Sequence, residues 1–164
     1  MAADDADRPP EHRPVRPLVA LGLATAGFIA LLIFGLGMTS LLLDENVIAV
    51  RGLGQIPGVV GTTLATAGFA ATTWAGVRRA RPSYGTAGLA AVAAFLGYGV
   101  GVWIGAVGGG ADLAAATRAA GGVLTSWFGA VIAGAALVSS WGAVALVRTR
   151  AERPRWPWED PDDE

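Results

Sequence analysis

From Leu18 to Leu43 the chain carries no charged residue. At about 1.5 Å per helical residue, this run is longer than the roughly 30 Å hydrocarbon core of a bilayer. Such a stretch is too long for an ordinary buried core helix and reads as a membrane span. The rest of the composition agrees. Of the 164 residues 53% are hydrophobic and only 15% are charged, against about a quarter charged in soluble domains. Mean hydropathy is +0.50. The charges gather at the ends and in short turns.

Three further spans follow. The loop of residues 44–57 opens on Asp44 and Glu45, and Pro57 suits the first turn of a new helix. Span two covers about 58–77. It is the least apolar, with Thr62, Thr63, Thr66, Thr72 and Thr73. Arg78, Arg79, Arg81 and Pro82 make a basic turn before span three, about 86–107. A second loop begins with Gly108, Gly109 and Gly110. Residues 112–120 predict a short helical piece with Asp112 as N-cap, and Gly121 and Gly122 mark a break before span four, about 121–147. The expected fold is all-α: an integral membrane, antiparallel four-helix bundle over residues 17–147.

Tails 1–16 and 148–164 are charged and rich in proline, a composition that buries too little surface to fold alone. A cleaved signal peptide is the alternative for the first span. Its apolar run is longer than a signal h-region, and no clean small-residue cleavage site follows.

Orientation follows from arginine. The N-terminal tail holds Arg8, Arg13 and Arg16. The central turn holds Arg78, Arg79 and Arg81, and the C-terminal tail Arg148, Arg150, Arg153 and Arg155. The other two loops hold only Arg51 and Arg118. The positive-inside rule places both termini in the cytoplasm of a cell (plasma) membrane.

Several activities lose their chemistry at this level. There is no cysteine, so thiol catalysis and thiolate metal sites are excluded. The single histidine, His12, lies in the Pro-rich tail and cannot build a His-based metal cluster. A net charge of -1 gives no global field for nucleic acid. No nucleophile–base pair, paired carboxylates or phosphate loop stands out, so the expectation is a non-enzyme with no cofactor, no metal and no identifiable small-molecule substrate. No span contains an ionisable group of the kind that binds a coupling ion. The chain is similar in size and span count to small four-helix multidrug exporters, but those depend on a Glu inside the first span, and this first span has none.

Candidate functional residues are therefore packing residues. Gly97, Gly101, Gly105 and Gly109 recur every four positions in span three, with Ala93 extending the series. Such a face lets two helix backbones approach closely in lipid. Gly122, Ser126, Ala130 and Gly134 form a corresponding series in span four, and Gly68, Thr72 and Gly76 one in span two. Packing inside one bundle is the first reading and a homo-oligomer contact the second. Thr62, Thr66 and Thr73 share one helical face, within about 40° at 3.6 residues per turn. Hydroxyls bonded back to the preceding turn explain that stripe more simply than a polar path.

Trp74 and Trp103 suit the interfacial belt, while Trp127 and Trp141, placed deeper, suit packing against other helices. In the tail, Trp156 and Trp158 point to contact with lipid headgroups or with a cytoplasmic partner. The hexapeptide LATAGF occurs at residues 23–28 and 64–69. Internal repeats mark transporter folds, but in so Ala- and Gly-rich a chain coincidence explains two copies.

The Ala/Gly/Val-rich spans, the arginine-only basic residues and the RPRWPWEDPDDE tail resemble the small four-span membrane proteins of unknown function found in actinobacteria. That resemblance implies no activity. The sequence points to a structural, regulatory or accessory membrane protein whose surroundings are the lipid bilayer and a homo-oligomer or membrane-protein partner. The alternative is a small uncoupled channel or transporter subunit acting as an oligomer.

Overall fold

A computed structural model describes residues 17–48, 54–79 and 83–148. The expected tails, Trp156 and Trp158 included, lie outside the described residues, except Arg148, which ends the last helix. The described residues form five helices and no strand: α1 Pro17–Leu43, α2 Ile56–Val77, α3 Gly85–Gly108, α4 Leu113–Thr125 and α5 Trp127–Arg148. Three of them are long and apolar enough to cross a membrane: α1, α3 and the Trp127–Val147 part of α5. The fourth expected span, α2, is 22 residues long but less apolar than these.

Helix ends follow local chemistry. At the end of α1, Asp44 adopts a left-handed φ of 52° and the Glu45 N–H donates to Ser40 O at 3.2 Å, the six-to-one bond of a Schellman-type stop. The end of α3 is a fuller version. Gly110 takes φ 90°, its N–H donates to Val107 O, and the Ala111 N–H donates to Ala106 O, both at 3.0 Å. Of the three consecutive glycines there, Gly110 is the one whose backbone demands glycine. Pro57 sits in the first turn of α2, where its missing N–H costs nothing. The Asp112 side chain accepts from the Ala115 N–H at 2.7 Å and caps α4.

The expected break at Gly121 and Gly122 is not there. Both glycines stay helical, and the chain interrupts at Ser126 instead. A helical glycine costs only about 1 kcal/mol against alanine, which is too little to end a helix by itself. At Ser126 an extended backbone (φ -96°, ψ 177°) gives the helix a competing set of bonds. The Ser126 N–H and hydroxyl both donate to Val123 O, at 3.4 and 2.8 Å, while the Gly129 N–H donates to Ser126 O at 3.1 Å. The span expected from residue 121 therefore begins at Trp127.

The core is a continuous apolar cluster drawn from all five helices. Ala24, Phe28 and Leu32 of α1 meet Ala65 and Phe69 of α2, Ala94, Tyr98 and Val102 of α3, Val123 of α4, and Ile132 and Ala136 of α5. Phe28, Leu32, Phe69, Val102 and Ile132 are fully buried. The outward faces carry Leu18, Leu23, Ile33, Phe34, Leu96, Ile104 and Val138, all exposed. A shell this apolar matches lipid better than water. Trp127 is 72% exposed and belongs to that shell, whereas Trp141, though 53% exposed, keeps a packing contact, stacked on Tyr84 at the start of α3 with ring centroids 6.1 Å apart.

Candidate functional site

The tightest contact in the molecule is between α2 and α3. Residue numbers rise along one helix as they fall along the other: Pro57 meets Gly105, Gly61 meets Gly101, Leu64 meets Gly97, Gly68 meets Ala93 and Gly76 meets Thr86. The two helices thus run in opposite senses with their backbones in contact. A Cβ added to Gly101 would lie 2.6 Å from Gly61 Cα and 2.7 Å from Val60 O. One added to Gly105 would lie 2.7 Å from Pro57 Cα, and one on Gly97 2.9 Å from Leu64 O. Any side chain at these three positions must force the helices apart. On the α2 side Gly61 and Gly68 receive α3 in the same way, with Tyr98 O at 3.2 Å and Ala93 O at 3.0 Å from their would-be Cβ atoms.

The other expected packing residues lie elsewhere. Gly109 is past the last residue of α3 and approaches only the carbonyls of its own helix end. Gly122 and Gly134 have nothing within 4 Å of a would-be Cβ. Ala130 is exposed, and Ser126 occupies the break between α4 and α5. Gly122, Ala130 and Gly134 therefore lie on faces turned away from the contacts this chain makes within itself.

Three close approaches had no clear sequence signal. A Cβ on Gly35 of α1 would come 2.5 Å from Val131 Cγ1 of α5. Gly99 faces Leu124 Cδ1 at 2.5 Å, and Gly129 faces Leu124 O at 2.5 Å. Leu124, one residue from the end of α4, is thus wedged between α3 and the first turn of α5. Gly27 and Gly35 are eight apart, but Leu31 between them breaks the small-residue spacing.

The threonine stripe divides. Thr73 is fully buried, and its hydroxyl donates to Ser140 Oγ of α5 at 3.1 Å. Nearby, Thr86 Oγ1 and Ser139 Oγ are buried with no hydrogen-bond partner among the described residues. Thr62 and Thr66 instead line a groove between α1 and α2, toward the loop that joins them, with a volume of about 1060 Å³. The Thr66 hydroxyl donates to Thr62 O and that of Thr63 to Val59 O, each at 2.8 Å. That back-bonding uses their donors inside the helix and leaves the oxygen lone pairs toward the groove.

α1 and α2 also meet at the two copies of LATAGF. Phe28 and Phe69, the last residues of each copy, stack with centroids 4.6 Å apart. Ala24 and Ala65, at the same position in each copy, are both buried.

Among the described residues, no three acidic or histidine side chains gather into a metal-binding group. The model of a family of unknown function, DUF6121, matches residues 11–164. The chain belongs to that family. Nothing matches among curated proteins or solved structures. For this DUF6121 member the geometry of the seam and the groove is therefore the guide to function.

Proposed function

We propose that this DUF6121 protein is a multi-pass protein of the plasma membrane, an antiparallel four-span bundle with both termini cytoplasmic. It serves as a non-enzymatic structural, regulatory or accessory component through helix contacts. The observation that carries the reading is the backbone-to-backbone seam of Gly97, Gly101 and Gly105 on α2. Close approach of this kind is how helices associate where lipid removes the hydrophobic drive. Phe28, Phe69, Tyr98, Val102 and Ile132 fill the centre, where a carrier would hold water or an ion-binding group. The weaker hydropathy of α2 fits a fourth span because Thr63, Thr66 and Thr72 bond their hydroxyls back to Val59, Thr62 and Gly68 carbonyls, which masks polarity from lipid.

The cysteine-free chain lends itself to a direct test. Glu45→Cys and Ala111→Cys are expected to react with an impermeant maleimide on intact cells, and Ser83→Cys only after permeabilisation. Reaction of Glu45→Cys and Ser83→Cys from one side would leave α2 outside the span count and sink the four-span reading. Crosslinking with native mass spectrometry then reads the partner, and a complex with a different membrane protein is the expected product.

The groove beside Thr62 and Thr66 favours a second reading, a small uncoupled channel or transporter subunit acting as an oligomer. A defined homo-oligomer whose flux falls in Thr62→Val and Thr66→Val would establish it over the first.

A further inference from the structure

Between α1 and α2, on the loop side of the stacked Phe28 and Phe69, lies the groove that Thr62 and Thr66 line. The groove there is graded along its length. Its loop end is lined by Ser40, Asn46 and Gln55, its middle by Thr62, Thr63 and Thr66, and its inner end by Ile29, Ile33, Ala67 and Ala70. No described residue lining it is charged. From Gln55 to Ala70 on α2 the groove runs about 22 Å at 1.5 Å per residue. One leaflet's hydrocarbon is about 15 Å thick, half the bilayer core, so the length fits a headgroup plus an acyl chain. The volume of about 1060 Å³ lies just above what small-molecule sites usually offer, roughly 300–1,000 Å³.

We infer that this groove is a binding site for a membrane lipid with an uncharged, hydroxyl-rich headgroup, drawn from the leaflet that bathes the α1–α2 loop. The Asn46 and Gln55 amides both donate and accept, and the hydroxyl oxygens of Ser40, Thr63 and Thr66 accept, since their own donors are engaged by Glu45, Val59 and Thr62 carbonyls. That inventory suits a sugar. Ile29, Ile33, Ala67 and Ala70 receive the chain, and the side of the groove is open for entry from lipid. The inference rests on the reading that these helices span a membrane, though not on which face the loop occupies.

The experiment is photo-crosslinking in nanodiscs of phosphatidylcholine doped with a glucosyl diacylglycerol that carries a diazirine in one chain. A diazirine phosphatidylglycerol serves as comparison. Saturable labelling of peptides from residues 29–33 and 58–70 by the glucosyl lipid is expected, competed by unlabelled glucosyl lipid. Ala67→Phe, which fills the inner groove from an exposed position, is expected to lower that labelling at least tenfold, while Val138→Phe on the exposed face of α5 leaves it unchanged. Asn46→Ala combined with Gln55→Ala is expected to weaken competition at least threefold with an unchanged unfolding temperature. Equal labelling of the α5 outer face, or equal yield from both lipids, would mean surrounding lipid only and overturn the site. Preference for the anionic lipid would overturn the headgroup assignment. Absent labelling with Glu45→Cys and Ser83→Cys reacting on opposite faces would overturn the groove alone, whereas reaction on one face would overturn the spanning reading beneath it.

Discussion

Phe28 and Phe69 stack face to face, with centroids 4.6 Å apart and ring planes 14° from parallel, and both are fully shielded. They join α1 to α2 where the groove above them begins to open. Phe69→Ala removes the stack and leaves a cavity. Soluble cores lose about 3–5 kcal/mol for such a change, but part of that is transfer from water, which lipid does not supply. A loss of about 1–3 kcal/mol is expected, read as a lower unfolding temperature in detergent. An unchanged temperature would mean the ring pair contributes nothing to holding α1.

The seam of α2 and α3 makes a sharper prediction, because two glycines on the same chain have opposite surroundings. Gly101→Leu must displace Gly61 Cα and Val60 O, whereas Gly134→Leu enters open space. Gly101→Leu is expected to cost about 2 kcal/mol or more through overpacking and to broaden or dissociate the folded species on size exclusion. Gly134→Leu is expected to leave thermal unfolding of the same preparation unchanged. Equal behaviour of the two variants would mean that the close approach at Gly101 does not hold α2 against α3.

Buried hydroxyls between α2 and α5 separate a made bond from an unmade one. A double-mutant cycle with Thr73→Val and Ser140→Ala is expected to give a coupling of about 0.6 kcal/mol, the average for such bonds in lipid. Zero coupling would mean that the 3.1 Å contact contributes no net energy.

Ser139 is the counterpart, buried without a partner among the described residues. Removing an unsatisfied hydroxyl relieves a desolvation penalty. Ser139→Ala is expected to raise the unfolding temperature slightly. A clear fall would show that the hydroxyl has a partner, such as a bound water.

At the start of α4, Asp112→Ala removes the acceptor for the Ala115 N–H. The expected cost is about 0.5–2 kcal/mol, confined to that helix. Hydrogen exchange should quicken across residues 113–125 and stay slow in α3. Slow exchange in α4 of the variant would show that the Trp103 Nε1 donation to Thr117 Oγ1, at 3.3 Å, holds the helix without its cap.

Hydropathy and end chemistry made most of the helices legible. The expected 18–43 and 86–107 each fall within one residue of α1 and α3 at both ends, and 58–77 starts two residues late. Asp112 was readable as a cap because its short acceptor precedes an alanine-rich run. The break at Ser126 was not, since it depends on one residue's backbone angles and on three bonds that no composition encodes. In the candidate site, spacing of four along α3 singled out Gly97, Gly101 and Gly105, but carried the series past the helix end to Gly109. Gly35 and Gly99 escaped notice because each fits one side chain from another helix, and Gly129 because it meets the Leu124 carbonyl across the break at Ser126. Complementarity of that kind exists only once the helices are placed. The groove escaped it too, being formed between two helices and not by any pattern within one.

The seam also bears on how the chain reaches its final place. α2 is the helix least suited to dissolve in lipid alone, and α3, strongly apolar, is reached through only the short segment around Arg78 and Arg79. On the proposed four-span reading, with Gly61 and Gly68 able to accept the α3 backbone at once, the two helices can leave the insertion machinery as a hairpin. A side chain at Gly101 would then impair biogenesis as well as the finished protein, leaving α2 stranded at the interface before any partner is met.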